Sequence, residues 1–256
     1  MVSVPRTEEI QKHLEYLQEN VSEFRQYFNA HRSELNSFRD RITWYIDSEK
    51  TPRSGCIPDF RILLTNIPTT FGDAQIVSHE MEHCRLWHSG FPDLQPDRTG
   101  KKSDGLMAGL CSAISNMIYN PMIESHLKFF YPDLCTKDKK LFETQVARLN
   151  GVTLKKGLEF QKLCCYYVTG FLTIKLLCED IPNIEECKYF RSGNGLKIKE
   201  CGKKIISIFE KNGYFSAESV EGIQPERIIQ ITKEIADFYH LTFRYSSLVK
   251  KVFLSL

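Results

Sequence analysis

Apolar positions recur every three or four residues through the first part of the chain. Ile10, Leu14, Leu17, Val21, Phe24 and Phe28 are separated by charged and amide side chains, which predicts one amphipathic helix from Thr7 to Ala30. Leu35, Phe38, Ile42 and Tyr45 continue the spacing and predict a second helix from Ser33 to Ile46. The polar stretch Asp47 to Pro58, with its Pro and Gly residues, breaks the pattern. Phe60 to Thr65 (FRILLT) is short, apolar and followed by Asn66 and Pro68, which predicts a strand.

Thr70 to Asp73 can cap free backbone N–H groups, so a third helix is expected to start there and run to about His88, ahead of Gly90 and Pro92. His88 to Gly105 is polar and rich in Gly and Pro, the composition of a surface loop. Helical spacing returns from Leu106 to Phe130, with Pro121 inside it. Beyond lie four further helical patterns: Lys139 to Leu149, Leu154 to Cys178, Leu196 to Asn212 and Pro225 to Phe253. The fold class implied is mostly α with a small β element (α+β). A seam near Thr136 divides the chain into 1–136 and a helical region 137–256, and one continuous domain fits the sequence equally well.

Composition narrows the function classes. A chain of 256 residues can bury a real core, and 42% apolar with 26% charged residues excludes a disordered or fibrous protein. Lysine and arginine number 34 against 32 acidic residues, so no overall field favours nucleic acid or an anionic membrane. The longest apolar stretch, Leu163 to Cys178, contains Lys175 and is too short for a comfortable membrane span. The opening MVSVPRTEEI has no apolar core of a secretory leader. Nine cysteines, an odd number with no C-x-x-C pair, read as thiols in a reducing cytoplasm, most of them buried apolar groups. Cytoplasmic placement is the resulting expectation.

The stretch Ile76 to Trp87, IVSHEMEHCRLW, carries chemistry. On a helix, His79 and His83 sit one turn apart on one face and can aim imidazole nitrogens at a single ion. Glu80 leans to the same side and can hold and deprotonate water. His79-Glu80-Met81-Glu82-His83 resembles the HExxH zinc metallopeptidases, the zincins. The resemblance covers one helix and a candidate second ligand helix, about a fifth of the chain. It implies a minimal zincin-like catalytic core within 1–136, embedded in a helical scaffold. In that family the strand before the motif helix lines the cleft and pairs with substrate backbone, a place that Phe60 to Thr65 fits. The longer family pattern prefers uncharged middle positions and apolar residues after the second histidine; this chain has Glu82 and Arg85 there. Glu82 is expected either to face solvent or to pair with Arg85.

A third protein ligand would leave the fourth zinc position open to water. The metzincin form needs histidine at position 89, where Ser89 stands, and His88 is on the wrong phase. The gluzincin-like alternative is a glutamate on a separate helix. Asn116, Asn120 and Glu124 share one face at four-residue spacing, preceded by small residues that permit close helix approach, so Glu124 is the candidate. His126, Asp104 and Cys84 are its rivals. Asn116 and Asn120 are candidates to orient a ligand by hydrogen bonding. Tyr119, His126, Tyr131, Tyr166 and Tyr167 can each be imagined as the oxyanion donor.

Other signals carry less. Cys164, Cys165, Cys178, Cys187 and Cys201 match no metal motif. The basic stretch Lys188 to Lys211 reads as a solvated face, and Ser192 to Gly195 lacks the G-K-[ST] ending of a phosphate loop. The expectation is a zinc-dependent hydrolase, a metallopeptidase with one zinc ion on His79, His83 and Glu124. Glu80 is its general base, its substrate a peptide or protein, which in one variant is a single regulatory partner. The alternative is an inactive zinc-binding interaction module with a peptidase-like fold.

Overall fold

The computed structural model describes residues 6–46, 55–57, 60–92, 94–96, 104–148, 157–177, 193–215, 223–240 and 243–245. It is mostly helical with small sheets, as the periodicity predicts. No helix among the described residues is long and apolar enough to cross a membrane. The chain forms two compact units, one of 1–91 with 129–132, the other of 92–128 with 133–256.

The first unit opens with two helices where the spacing predicts one. Helix α1 spans Thr7–Asn20 and α2 spans Ser22–Ala30. Val21 between them is extended (φ −118°, ψ 105°) yet stays in the core, so the apolar rhythm passes through the break. Helix α3, Arg32–Phe38, and a short 3-10 turn end well before Ile46, and Thr43–Ile46 is strand β1 instead. Thr-Trp-Tyr-Ile is β-branched and aromatic, and pairing buries Trp44 to 1% exposure. The helical spacing of Ile42 and Tyr45 is coincidental here.

Strand β3, Arg61–Leu64, lies at the centre of a three-stranded sheet. It runs parallel to β1, with Trp44 opposite Ile62, and antiparallel to β2, Gly55–Ile57, with Cys56 opposite Ile62. Both edges of β3 are therefore used, and it cannot pair with a substrate backbone in the way the family resemblance suggests. Phe60 enters β3 with φ 59°, a left-handed conformation unusual for a bulky side chain. Its buried ring is held against Phe38 at 5.7 Å, under the Arg41 guanidinium at 4.2 Å.

Helix α4, Phe71–His88, follows and packs on α2, α3 and the sheet. Its start is the predicted cap: Thr70 Oγ1 accepts from the Asp73 N–H at 3.2 Å, and Asp73 Oδ2 accepts from the Thr70 N–H at 2.8 Å. Gly90, with φ 89°, turns the chain after the helix.

The second unit begins in the segment predicted as a loop, part of which is strand β4, Leu94–Pro96, with Leu94 buried. β4 pairs antiparallel with β5, Phe243–Tyr245. Helix α5, Asp104–Leu127, runs on through Pro121. It packs on α7, Leu158–Leu177, which also holds α6, Leu134–Arg148, and α8, Gly193–Lys211. Helix α9, Pro225–Tyr239, is shorter than its apolar pattern predicts, because His240 adopts φ 54° and closes it. The remainder of that pattern, after Tyr245, lies outside the described residues.

Candidate metal centre

The α4 backbone places the motif as its spacing requires. The His79 and His83 ring centres are 5.1 Å apart with planes inclined at 70°. Two imidazoles on one tetrahedral zinc at ~2.0–2.1 Å per nitrogen would have ring centres about 5 Å apart, the separation that this pair shows. His79 is half-buried; Glu80 and His83 are buried, and His83 packs on Trp87 with ring centres 6.0 Å apart. A carboxylate and an imidazole withdrawn from bulk water are suited to holding a cation and moving a proton. His88 lies off this face: its Nε2 is 3.0 Å from Ser37 Oγ.

Glu82, inside the motif, is neither exposed nor idle. It is 1% exposed, and its Oε2 accepts from Arg85 Nη2 at 2.7 Å and Nε at 2.8 Å. Its Oε1 accepts from the Tyr27 hydroxyl at 3.0 Å. Arg85 also reaches Glu34 at 3.5 Å. Partial burial works against the Arg85 charge, but the Glu82 and Glu34 carboxylates outweigh it and hold the guanidinium more firmly protonated than usual. Burial, then the Glu82 charge, pushes the Tyr27 phenol well up, so it remains a donor. His31, whose ring packs on Tyr27 at 5.2 Å, offers a ligand atom within 4.8 Å of one on Glu82, a second pair of metal-capable side chains in this unit.

Behind the motif, Ser78 Oγ shares a 2.8 Å hydrogen bond with the Tyr131 hydroxyl, which also donates to the Ala74 carbonyl at 3.4 Å. Tyr131 is completely buried, and that burial pushes its phenol up. Its hydroxyl is thus committed to the α4 backbone and its neighbour Ser78. Tyr119 donates to the Pro92 carbonyl, and Tyr167 packs on Phe142, so both have structural employment.

Glu124 and its rival His126 are half-buried on α5, in the second unit, and Asp104 is the first residue of that helix. Asn116 and Asn120 stand on the same helix at the predicted spacing. Asn120 Oδ1 is a buried oxygen with no hydrogen-bond partner among the described residues. Cys84 is buried within α4. The structure thus sets His79 and His83 on one face of α4 with Glu80 beside them, ties Glu82 to Tyr27 and Arg85, and ties Ser78 to Tyr131. Tyr27 and Tyr131 are 55 and 53 residues from their partners, a separation with no sequence signature. No family model, curated protein or solved structure matches the chain.

Proposed function

We propose that this chain is a zinc-dependent hydrolase acting on peptide bonds, with His79 and His83 as metal ligands and Glu80 as general base. The observation that carries this reading is the pair of imidazoles 5.1 Å apart on one face of α4, with the buried Glu80 next to the first of them. Glu124 is taken as third ligand from the sequence pattern alone.

Zinc, when bound, would act as a Lewis acid toward a peptide carbonyl and make water acidic enough to attack it. Glu80 accepts the proton of the attacking water and delivers it to the departing amine, so one carboxylate serves both halves of the reaction. His83 packs on Trp87, a ring contact that limits how its imidazole can turn.

Elemental analysis of purified protein and a broad peptide-cleavage screen test the reading together. About one zinc per chain is expected in wild type and Glu80→Gln, and little in His79→Ala or His83→Ala. Glu80→Gln should lose turnover by about 10²–10⁴-fold, the usual weight of a general base. A chain without zinc, or a fully active Glu80→Gln, would refute it. A second reading, a zinc-binding interaction module, draws support from the buried Glu82 charge inside the motif. Stoichiometric zinc with no turnover on any substrate would favour that module.

A further inference from the structure

In the second unit, α7, α8 and α9 converge on a group of thiols and one phenol. Cys164 and Cys165 are adjacent on α7 and completely buried, Cys201 is partly exposed on α8, and Tyr239 ends α9. Gly202 explains how α8 comes so near. A Cβ at that position would stand 2.6 Å from the Tyr167 ring and 3.4 Å from Val168, so only a glycine backbone can rest on these α7 side chains. The preceding residue, Cys201, is thereby set beside the α7 turn that runs from Cys164 to Val168, and the two thiols lie close enough to act on each other's ionisation. The Tyr239 hydroxyl is 3.9 Å from Cys201 Sγ. Tyr239 is itself fixed by Gln161, which accepts from its hydroxyl at 3.4 Å and donates to its carbonyl at 3.5 Å.

We propose that Cys201 and Cys164 are a redox-active thiol pair, Cys201 reacting with peroxide and Cys164 resolving the product into a disulfide between α8 and α7. This inference is independent of the zinc reading.

The asymmetry of the pair assigns the roles. Hydrogen bonding with Cys164 lowers the Cys201 thiol, and although burial opposes this, Tyr239 and the Lys204 ammonium reinforce it, to about 7. The same hydrogen bond and burial raise Cys164, and burial pushes Cys165 up to about 12. Of the free cysteines among the described residues, Cys84, Cys111, Cys164 and Cys165 are buried, whereas Cys201 is partly open to a small oxidant.

The chemistry balances. The Cys201 thiolate attacks one oxygen of hydrogen peroxide; the O–O bond breaks, hydroxide departs and is protonated to water, and the sulfur becomes a sulfenic acid. The Cys164 sulfur then attacks the Cys201 sulfur, the S–O bond breaks, and the hydroxide leaves with the Cys164 proton as a second water. Two thiols give up two electrons, and one peroxide becomes two waters.

The test uses the whole chain, reduced, desalted and treated with equimolar hydrogen peroxide, then mapped by non-reducing peptide mass spectrometry. A Cys164–Cys201 linked peptide is expected, reversible by dithiothreitol, with Cys84, Cys111 and Cys165 remaining thiols. In Cys164→Ser, dimedone should trap a Cys201 sulfenic acid. In the wild type, which needs no folded variant, iodoacetamide should label Cys201 with a midpoint near 7, well below the ordinary value of about 8.5. An unchanged Cys201 thiol after peroxide, a Cys201 disulfide to another cysteine, or a labelling midpoint at the ordinary value would each overturn the proposal.

Discussion

The Glu82 carboxylate and the Arg85 guanidinium, one turn apart on α4, are joined through a single oxygen at 2.7 and 2.8 Å. These are the two residues by which the motif helix departs from the longer zincin pattern. Their pairing makes the departures one event: a charge drawn into the core at position 82 is neutralised by a charge at position 85, and the second carboxylate oxygen is satisfied by Tyr27. The helix face that carries them is distinct from the face of His79 and His83.

Arg85→Ala should therefore destabilise the protein by about 3 kcal/mol, because it strands a buried carboxylate. Exchanging both partners for apolar residues of similar size, Glu82→Leu with Arg85→Met, should recover most of that loss. Urea unfolding of the two variants and wild type measures both effects. A loss near zero for Arg85→Ala would place the pair with ordinary surface bridges.

The capping box offers a pH test. Partial burial disfavours the Asp73 charge, but hydrogen bonds from the Thr69 and Thr70 N–H groups, the Thr70 hydroxyl and the Asn66 amide outweigh it, holding the carboxyl below its usual value. A group whose folded pKa is lowered contributes stability above its unfolded pKa, about 3.9 for aspartate, and loses it as pH falls through the folded value. Asp73→Ala should cost about 1 kcal/mol at neutral pH. The gap from wild type should close progressively below the ordinary aspartate value. Thermal melts of both proteins across acidic pH would show it, and a gap independent of pH would remove the carboxylate charge from the account.

Gly170 tests the helix packing of the second unit. Alanine in a helix normally gains up to about 1 kcal/mol over glycine. Here an added Cβ would stand 2.1 Å from the buried Phe142 ring, so the ring or the helix must move. Gly170→Ala should destabilise by about 1–3 kcal/mol. In a Phe142→Leu background the same change should become neutral or favourable. Chemical denaturation of the four proteins decides between steric and propensity control.

Legibility followed the range of the forces involved. Helix α4 was readable at both ends, since Thr70 and Asp73 cap it from three residues apart and Gly90 turns the chain beyond it. Val21 hid the α1–α2 break because it is buried on the same stripe as Leu17 and Phe24, and burial is what the spacing reports. The spacing points to helix over strand β1 because Ile42 and Tyr45 happen to be three apart, while the strand's partners, Arg61 to Leu64, come from a later segment. The histidine pair was legible as a local spacing. The Tyr27–Glu82 and Ser78–Tyr131 bonds were not, being created by tertiary packing. Among the described residues four free cysteines, Cys84, Cys111, Cys164 and Cys165, are buried and Cys201 is partly exposed, whereas Cys135 is disulfide-bonded, against the reading of the cysteines as unpaired thiols.

The outer side of β1 is occupied by the chain's own beginning: the Arg6 N–H donates to the Trp44 carbonyl at 2.8 Å, and the Trp44 N–H donates to Thr7 Oγ1 at 3.3 Å. With that flank occupied and β3 enclosed, Gly55–Ile57 is the one strand of this sheet left with a side that no described residue pairs, so a proline placed within it would test whether the ladder can lengthen there.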